Sequence, residues 1–292
     1  AVQCVYGCIK SGGRMDSQRI FHCSSFYRTW YICGRYGVRI CSMGEEVKLI
    51  ISIKHTDISG FFKDTQESFL WSCKQGIMGN FYARERNFKS LMAVLGDFTF
   101  FDGEPDRALV EYLPKESKPE FRILVPPDEA WGRLIEDCYR GRSRKIMRYR
   151  MKKEPNTFDT DSLKRVARLP KGYTFKWIEE EFYNRCREEE WSRDFTAQFA
   201  DYESFCTFGM GVLALKGEEL VSGASSYSAW KGGIEIEVDT KEEYRRQGLA
   251  SACCARLILA CLETGRYPSW DAHTENSLAL SEKLGYHLDC PY

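Results

Sequence analysis

The feature that most constrains this chain is a strand, a basic loop and a helix that follow one another near its C-terminus. Residues 233–239 alternate apolar and charged side chains, which is the period of a half-buried strand. Residues 251–262 are small and apolar without glycine or proline, which predicts a helix packed on several sides. Between them lies the sequence Tyr244-Arg245-Arg246-Gln247-Gly248-Leu249-Ala250.

A glycine-containing basic loop at the start of a helix predicts an anion site. The backbone N–H groups of a first helical turn have no partner within the helix, and the helix dipole adds partial positive charge there. Gly248 and Ala250 let the backbone approach a phosphate closely, while Arg245 and Arg246 supply fork-shaped donors. We therefore expect this loop to bind a pyrophosphate.

The pattern Arg245-x-x-Gly248-x-Ala250 resembles the (R/Q)-x-x-G-x-(G/A) signature of the GNAT acyltransferases, which bind the pyrophosphate of acetyl-coenzyme A. Two neighbouring segments strengthen the resemblance. Residues 267–272 and 280–286 look like the family's next strand and its closing helix, in the family's order and separation. Residues 189–194 and 221–227 are similar to the branch that includes the enzymes acetylating zwittermicin, a similarity that names no substrate.

The resemblance implies an α/β (mixed α+β) protein whose GNAT-like, acetyl-CoA-binding catalytic domain occupies residues 161–292, with a central mixed sheet flanked by helices. The order predicted there is β–α–α–β–β–β–α–β–α, with helical stretches over 179–191 and 195–205 and a hairpin across Gly217-Glu218.

Upstream, residues 46–160 predict a smaller α+β domain with paired strands around Gly96-Asp97 and a helix that Asp128 caps. A degenerate GNAT-like copy is conceivable there. It lacks the Arg-x-x-Gly pattern, so we do not expect it to bind coenzyme A. Residues 1–45 form an irregular, cysteine-rich segment without a C-x-x-C pair, and no zinc site is expected in it. Residues 1–14 precede Met15, and the sequence does not decide whether they are a leader or an extension.

Acetyl transfer to an amine requires that the donor is held, its carbonyl oxygen polarised and the amine deprotonated. The resemblance implies that exposed backbone of the signature strand binds the pantetheine arm and that the loop binds the phosphates. Thr274 occupies the place of a family asparagine. The cofactor-binding residues implied in this way are Val238, Asp239, Thr240, Arg245, Arg246, Gln247, Gly248, Leu249, Ala250 and Thr274.

Candidate catalytic residues follow from the same resemblance. The family often uses a strand glutamate as the base; Glu235 and Glu237 share one face of the strand, and we favour Glu235. Both could equally be solvent-facing strand carboxylates. Many family members have a tyrosine that acts as general acid toward the leaving thiolate, and its position corresponds to Ser281, whose hydroxyl is a poorer proton donor. Water, Tyr286 or His273 could protonate the thiolate instead.

Candidates for binding the acceptor lie on the elements that face the expected cleft. Each could equally be structural, the tryptophans as core, the aspartate as a helix cap and the serines as strand pairs. The candidates are Trp191, Asp194, Ser225, Ser226, Trp270 and Asp271.

Composition narrows the class of protein. The 42 basic and 42 acidic side chains cancel, which argues against a general nucleic-acid binder. A two-lobed aminoacyl transferase that uses charged transfer RNA is a third possibility, but it would require a basic channel, which the balanced charge does not indicate. No apolar run approaches the roughly 20 residues that span a bilayer. Several of the cysteines lie in helix-like apolar runs, which is typical of free thiols in the reducing cytoplasm.

The sequence thus predicts a cytoplasmic N-acetyltransferase that passes acetyl directly from acetyl-CoA to a small-molecule amine. Cys253 and Cys254 lie inside the helix after the loop and are expected to pack rather than to act as nucleophiles. No metal, nucleic acid or membrane partner is expected, and a homodimer is possible. The alternative is a non-catalytic acyl-CoA-binding regulatory module.

Overall fold

Three β-sheets and eight helices form the part of the chain that our computed structural model describes, which is residues 5–7, 50–84, 89–115 and 121–292. This architecture confirms the expected mixed α/β fold class. Apart from the strand at residues 5–7, the predictions for residues 1–45 lie outside the described residues. The division into domains at 45 and 160 stays a prediction.

The first sheet has seven strands in the order β2-β3-β4-β5-β6-β1-β7. Its strands are β1 Val5–Gly7, β2 Ile50–Ile53, β3 Asn80–Arg84, β4 Ser90–Leu95, β5 Phe98–Gly103, β6 Ile123–Val125 and β7 Arg144–Ile146. The predicted hairpin around Gly96-Asp97 is confirmed, because β4 and β5 pair antiparallel from Leu95↔Phe98 onwards.

The second sheet has five strands in the order β13-β12-β11-β10-β9. Its strands are β9 Tyr173–Trp177, β10 Gly211–Lys216, β11 Glu219–Trp230, β12 Gly233–Thr240 and β13 Tyr267–Ser269. The turn at residues 217–218 joins β10 to β11, as predicted. Strand β12 is the predicted signature strand.

Five strands of the first sheet repeat the topology of the second sheet. In each, four antiparallel strands follow one another and the fourth pairs parallel with a fifth: β5 with β6 in the first sheet, and β12 with β13 in the second. In each, the fourth strand also leads into a helix. Residues 104–106 connect β5 to its helix, whereas the longer segment 241–248 connects β12 to its helix.

Helices cover and join the sheets. They are α1 Ser68–Gln75, α2 Arg107–Glu111, α3 Glu129–Cys138, α4 Thr160–Val166, α5 Glu180–Cys186, α6 Tyr202–Phe208, α7 Leu249–Glu263 and α8 Glu275–Lys283. Asp128 caps α3 as predicted, accepting a hydrogen bond from the Trp131 backbone at 2.9 Å. Helix α7 buries its apolar residues against the second sheet.

Two features join the halves of the molecule. Helix α1, which follows β2 in sequence, packs across β11 of the second sheet, and the Phe69 and Tyr227 rings meet edge to face at 5.8 Å. A small third sheet, in the order β14-β8-β15, pairs β8 Tyr149–Met151 with β14 Asp271–Ala272 and β15 Leu288–Pro291. The segment that joins the two halves is therefore paired, through β8, with the C-terminal strand β15.

Two predicted helices were wrong in extent. The helix expected over 179–191 ends at Cys186, because Arg187 donates to the Phe199 carbonyl and Ser192 to the Cys186 carbonyl, which turns the chain back. The helical stretch expected over 195–205 is a 3₁₀ turn followed by α6, which starts only at Tyr202 behind the Asp201 capping box.

Candidate active site

A cavity of about 960 Å³ lies beside β12 and the start of α7, where the second sheet faces the first half of the chain. Both halves contribute to its wall. The first half supplies Phe69, Asp97, Phe98, Phe121 and Ile123, and the joining segment supplies Arg148. The second half supplies Asp194, Tyr227, Glu235–Thr240, Tyr244–Arg246, Gly248–Ser251, Trp270, Asp271, His273, Thr274, Asn276, Ser277 and Leu280.

The basic loop enters α7 through two residues in the left-handed region. Arg246 has φ 61° and Gly248, the N-cap residue, has φ 82°. The Arg245 side chain is held by the end of β12, since its Nε donates to the Thr240 carbonyl at 3.0 Å and its guanidinium lies 3.6 Å from Asp239. Arg246 is exposed. This geometry sets the loop and leaves the Arg246 guanidinium available to a ligand at the helix start.

The helix start meets the requirements of a pyrophosphate site. The N-cap residue, Gly248, has no side chain to cap α7, so in the part of the chain that the structure describes the N–H groups of its first turn receive no N-cap bond. A Cβ built on Gly248 would meet nothing within 4 Å, so the space above it is open. Glycine is required there by the left-handed φ rather than by crowding.

Strand β12 loses its parallel neighbour inside the cavity. Its pairing with β13 stops at Glu235↔Ser269, while its pairing with β11 continues to Thr240. Residues 236–240 therefore present one strand edge to the cavity, which they line. Such an edge carries backbone donors and acceptors that an extended ligand can use.

Glu235 is a buried carboxylate at the end of this pairing, with 3% of its surface exposed. Its Oε2 accepts a short hydrogen bond from the Ser68 hydroxyl, while Oε1 has no hydrogen-bond partner among the described residues. Burial raises the pKa of Glu235 to about 7, an effect that the Ser68 hydroxyl partly opposes. This side chain is therefore poised to exchange a proton near neutral pH.

Glu237 lies two residues further along the same face, half-buried in the cavity. Burial raises its pKa to about 8, and the nearby carboxylates of Asp194 and Asp239 add to the effect. The structure thus brings both predicted carboxylates into one cavity with the basic loop.

Comparison of the sequence with known proteins assigns the chain to a family. The sequence model described as GNAT acetyltransferase matches residues 59–292, which is most of the chain. The chain belongs to the GNAT acetyltransferase family.

Relatives agree with this assignment. The chain is 43% identical to a GCN5-related N-acetyltransferase-like protein from Streptococcus suis whose crystal structure is known, with 82% of this chain and 96% of that chain covered and a TM-score of 0.76. It is also 26% identical over 258 residues to the uncharacterized N-acetyltransferase YdfB of Bacillus subtilis, covering 82% of this chain and 94% of the relative. We conclude that the protein is an acetyltransferase.

Most of the cofactor-binding residues that the GNAT signature implies line the cavity. Gln247 is the exception, because its side chain is exposed and accepts a hydrogen bond from the Tyr173 hydroxyl at 2.7 Å. The hydroxyls of Thr274 and Thr240 also have bonds within the fold. Thr274 caps α8 by accepting from the Ser277 backbone, and the Thr240 hydroxyl lies 2.7 Å from that of Ser222.

The residue at the family's tyrosine position does not reach the cavity. Ser281 is fully buried and its hydroxyl donates to the Leu278 carbonyl of its own helix at 2.7 Å. Tyr286 is also buried and donates to the Pro268 carbonyl at 2.6 Å. His273 does line the cavity, but burial and the nearby Arg148 lower its pKa, which favours the neutral imidazole.

The acceptor candidates divide into two groups. Asp194, Trp270 and Asp271 line the cavity. Trp191 packs edge to face on Phe195 at 5.9 Å, outside the cavity lining.

The two serines of strand β11 are likewise used within the fold. The Ser225 hydroxyl donates to the Phe195 carbonyl at 2.6 Å. The Ser226 hydroxyl accepts from the Met210 backbone at 3.0 Å.

The sequence interpretation missed the part of the wall that comes from the first half. Phe69 and Phe98 stack at 4.3 Å beside the cavity, and the Asp97 backbone donates to the Tyr227 hydroxyl at 2.9 Å. Tyr227 lies at a β-bulge, where the register of β11 on β12 shifts between Ser226 and Ser228. No local pattern signals these contacts, since each joins residues far apart in sequence.

The cysteines of α7 belong to the hydrophobic core. Cys253 and Cys254 are fully buried in the core, and burial raises the pKa of Cys253 to about 12. Both are packing residues, as expected. In the described ranges, no group of three His, Cys, Asp or Glu side chains is arranged to hold a metal ion, and no helix is long and apolar enough to cross a membrane.

Proposed function

We propose that this acetyltransferase passes acetyl from acetyl-CoA directly to a primary amine of a small molecule. The observation that carries the proposal is the convergence, in one cavity, of an uncapped helix start, an open strand edge and a buried carboxylate with an unpartnered oxygen. These are the elements required for donor binding, for donor orientation and for proton removal.

Two groups of residues would bind the acetyl donor, one at the start of α7 and one on the edge of β12. The first-turn N–H groups of α7 and the guanidinium of Arg246 would hold the pyrophosphate, and the backbone edge of Val238 to Thr240 would hold the pantetheine arm. Acetyl-CoA, when bound, supplies the activated acetyl group. A backbone N–H of this edge near Val238 would polarise its carbonyl oxygen.

Glu235 would remove the proton from the attacking ammonium group, directly or through one water molecule. With a pKa of about 7, the Glu235 carboxyl group is ionised in about half of the molecules at neutral pH, and the carboxylate is basic enough to accept a proton. With Cys253 and Cys254 buried in the core, a covalent acetyl-enzyme has no accessible thiol nucleophile among the candidate residues.

The walls favour a small acceptor. Phe69, Phe98 and Phe121 from the first half line the cavity, and Glu235 lies at a buried position in its wall. A small amine can reach such a position more easily than a folded protein surface can.

We also propose that the first half is a degenerate GNAT-like copy. The shared strand order and the matching parallel pair support this assignment. In the short 104–106 connection, Asp106 caps α2 and pairs with Arg84 at 2.8 Å, so a carboxylate occupies the place that a phosphate would need. This half would therefore shape the acceptor site without binding coenzyme A.

A thiol-release assay with acetyl-CoA and a panel of small amines tests the proposed reaction. We expect free coenzyme A to appear with at least one amine, together with the acetylated product by mass spectrometry. The burial of Ser281, which leaves the family's proton-donor position without an accessible acid, favours the regulatory alternative. Saturable acetyl-CoA binding without release on any amine would establish that alternative.

A further inference from the structure

Helix α1 belongs to the first half of the chain but is fastened to the second sheet by two serines. Ser68 and Ser72 lie one turn apart and share a helix face. The Ser72 hydroxyl donates to the Ala229 carbonyl at 2.6 Å, and the Ser68 hydroxyl donates to Glu235 Oε2. Both serines are buried, with 1% of Ser68 and none of Ser72 exposed.

The two serine hydroxyls donate to different kinds of acceptor. Ser72 bonds to strand backbone, so its contribution is to hold α1 on β11. Ser68 bonds to the carboxylate that we assign as the base, and this hydrogen bond fixes the Oε2 atom of Glu235. With Oε2 occupied in this way, Oε1 is the oxygen left to accept a proton.

The chemistry of the bond favours the ionised acid. A hydroxyl that donates to a carboxylate stabilises the charged form, whereas burial opposes it. In the Glu235 site, burial is the largest effect on the pKa and the charge of Asp271 adds to it, whereas the charge of Lys153 and the hydroxyls of Ser68 and Ser269 lower the pKa. Without the hydroxyl, a larger fraction of Glu235 would be protonated at neutral pH and unable to take a proton from the amine.

We propose that Ser68 is a positioning residue, which holds the Glu235 carboxylate in one orientation for proton removal and so makes the first half of the chain a direct participant in catalysis. This inference rests on the proposed function, in which Glu235 is the base. It assigns to α1 a role beyond forming a wall of the cavity.

The test compares Ser68→Ala with Ser72→Ala across pH. Each variant loses one buried hydroxyl from the same helix face, but only the first loses a contact with Glu235. We expect the acid limb of kcat/KM to move up by about one pH unit in Ser68→Ala, which lowers the rate at pH 7 about fivefold and restores it at high pH. Ser68→Thr, which keeps the hydroxyl, should restore the limb.

Ser72→Ala should leave the limb in place, whatever it costs in stability. If both serine variants lower kcat/KM by the same factor at every pH, Ser68 is merely structural and the inference is overturned. The Kd for acetyl-CoA should stay unchanged in all three variants, since none of the three side-chain changes touches the loop.

A second measurement separates this inference from the proposed function. The carboxyl ¹³C resonance of Glu235, identified by its loss in Glu235→Gln, reports the protonation of this group in the full chain without turnover. We expect its titration midpoint to rise in Ser68→Ala and to stay constant in Ser72→Ala. A midpoint unmoved by Ser68→Ala overturns the inference even in an active enzyme, whereas a moved midpoint without thiol release on any amine supports the contact and refutes only the reaction.

Discussion

Arg148 and Asp271 form a buried ion pair between the segment that joins the two halves and the strand that follows β13. The Nε atom of Arg148 donates to Asp271 Oδ1 at 2.5 Å, and 7% of each side chain is exposed. The Tyr292 hydroxyl bonds to the other carboxylate oxygen. Burial opposes the charge of Arg148, but Asp271 and Tyr292 outweigh it and raise the pKa of the guanidinium. The charge of Asp271, a predicted acceptor ligand, is thus already used within the protein.

Asp271→Asn should therefore destabilise the fold, by about 3 kcal/mol or more, because it leaves a buried guanidinium without its counter-charge. The control is Glu104→Gln, which removes the same charge from the exposed pair with Lys89 and should change the free energy of unfolding by less than about 0.5 kcal/mol. Chemical denaturation of both variants measures the difference. Equal, small losses would show that the Arg148 pair contributes no more than a surface contact.

Gly248→Ala should weaken acetyl-CoA binding, since alanine strains the left-handed N-cap conformation from which the first-turn N–H groups are presented. Gly217 provides a matched control. It too has a positive φ, 61°, and open space around a built Cβ, but it lies in the β10–β11 turn. Both alanine variants should lose about 1 kcal/mol of stability, while only Gly248→Ala raises the Kd in a calorimetric titration. The same Kd in both variants would contradict the loop assignment.

Glu235→Gln should stabilise the protein at pH 8 and have little effect at pH 4. The folded state holds the Glu235 proton up to about pH 7, whereas the ordinary value is 4.5, so unfolding becomes easier as the pH rises through this window. Glutamine resembles the protonated acid and removes this loss, which is worth no more than about 3 kcal/mol. Urea denaturation of both proteins between pH 4 and pH 8 gives the difference. A variant that is less stable at pH 8 would show that Glu235 is ionised in the folded state well below pH 7.

Ser281→Ala should leave kcat nearly unchanged. The hydroxyl is buried and bonded to the Leu278 carbonyl, so it is not placed to protonate a leaving thiolate. The expected cost is one helix-internal hydrogen bond, about 1 kcal/mol of stability. Steady-state rates with an accepted amine decide the point, and a fall in kcat of tenfold or more without unfolding would return the acid role to this position.

The unit formed by β12, the basic loop and α7 could be predicted because the sequence patterns that specify it lie within the unit itself. Alternation over 233–239 and the small apolar run after Gly248 place β12 and α7 within two residues of their observed bounds. The same holds for the turn at 217–218. Gln247 was included with the loop because the pattern gives no side-chain direction, and in the structure it points to Tyr173.

Contacts across the chain explain what could not be predicted. The helix from Glu180 stops at Cys186 because Arg187 finds carbonyl acceptors at Thr196 and Phe199. The start of α6 did have a local signal, the capping box of Asp201 and Ser204. The Ser68–Glu235 bond joins residues 167 positions apart, and no pattern near either residue predicts it.

Calorimetric titration of acetyl-CoA into the full chain tests the central claim, that the loop before α7 binds the donor's pyrophosphate. We predict saturable binding with one molecule per chain. The binding should be weakened at least tenfold in the Arg245→Ala/Arg246→Ala variant, with its thermal unfolding midpoint close to that of the parent. Absence of saturation in the well-folded parent, or equal affinity in the double variant, would contradict the account.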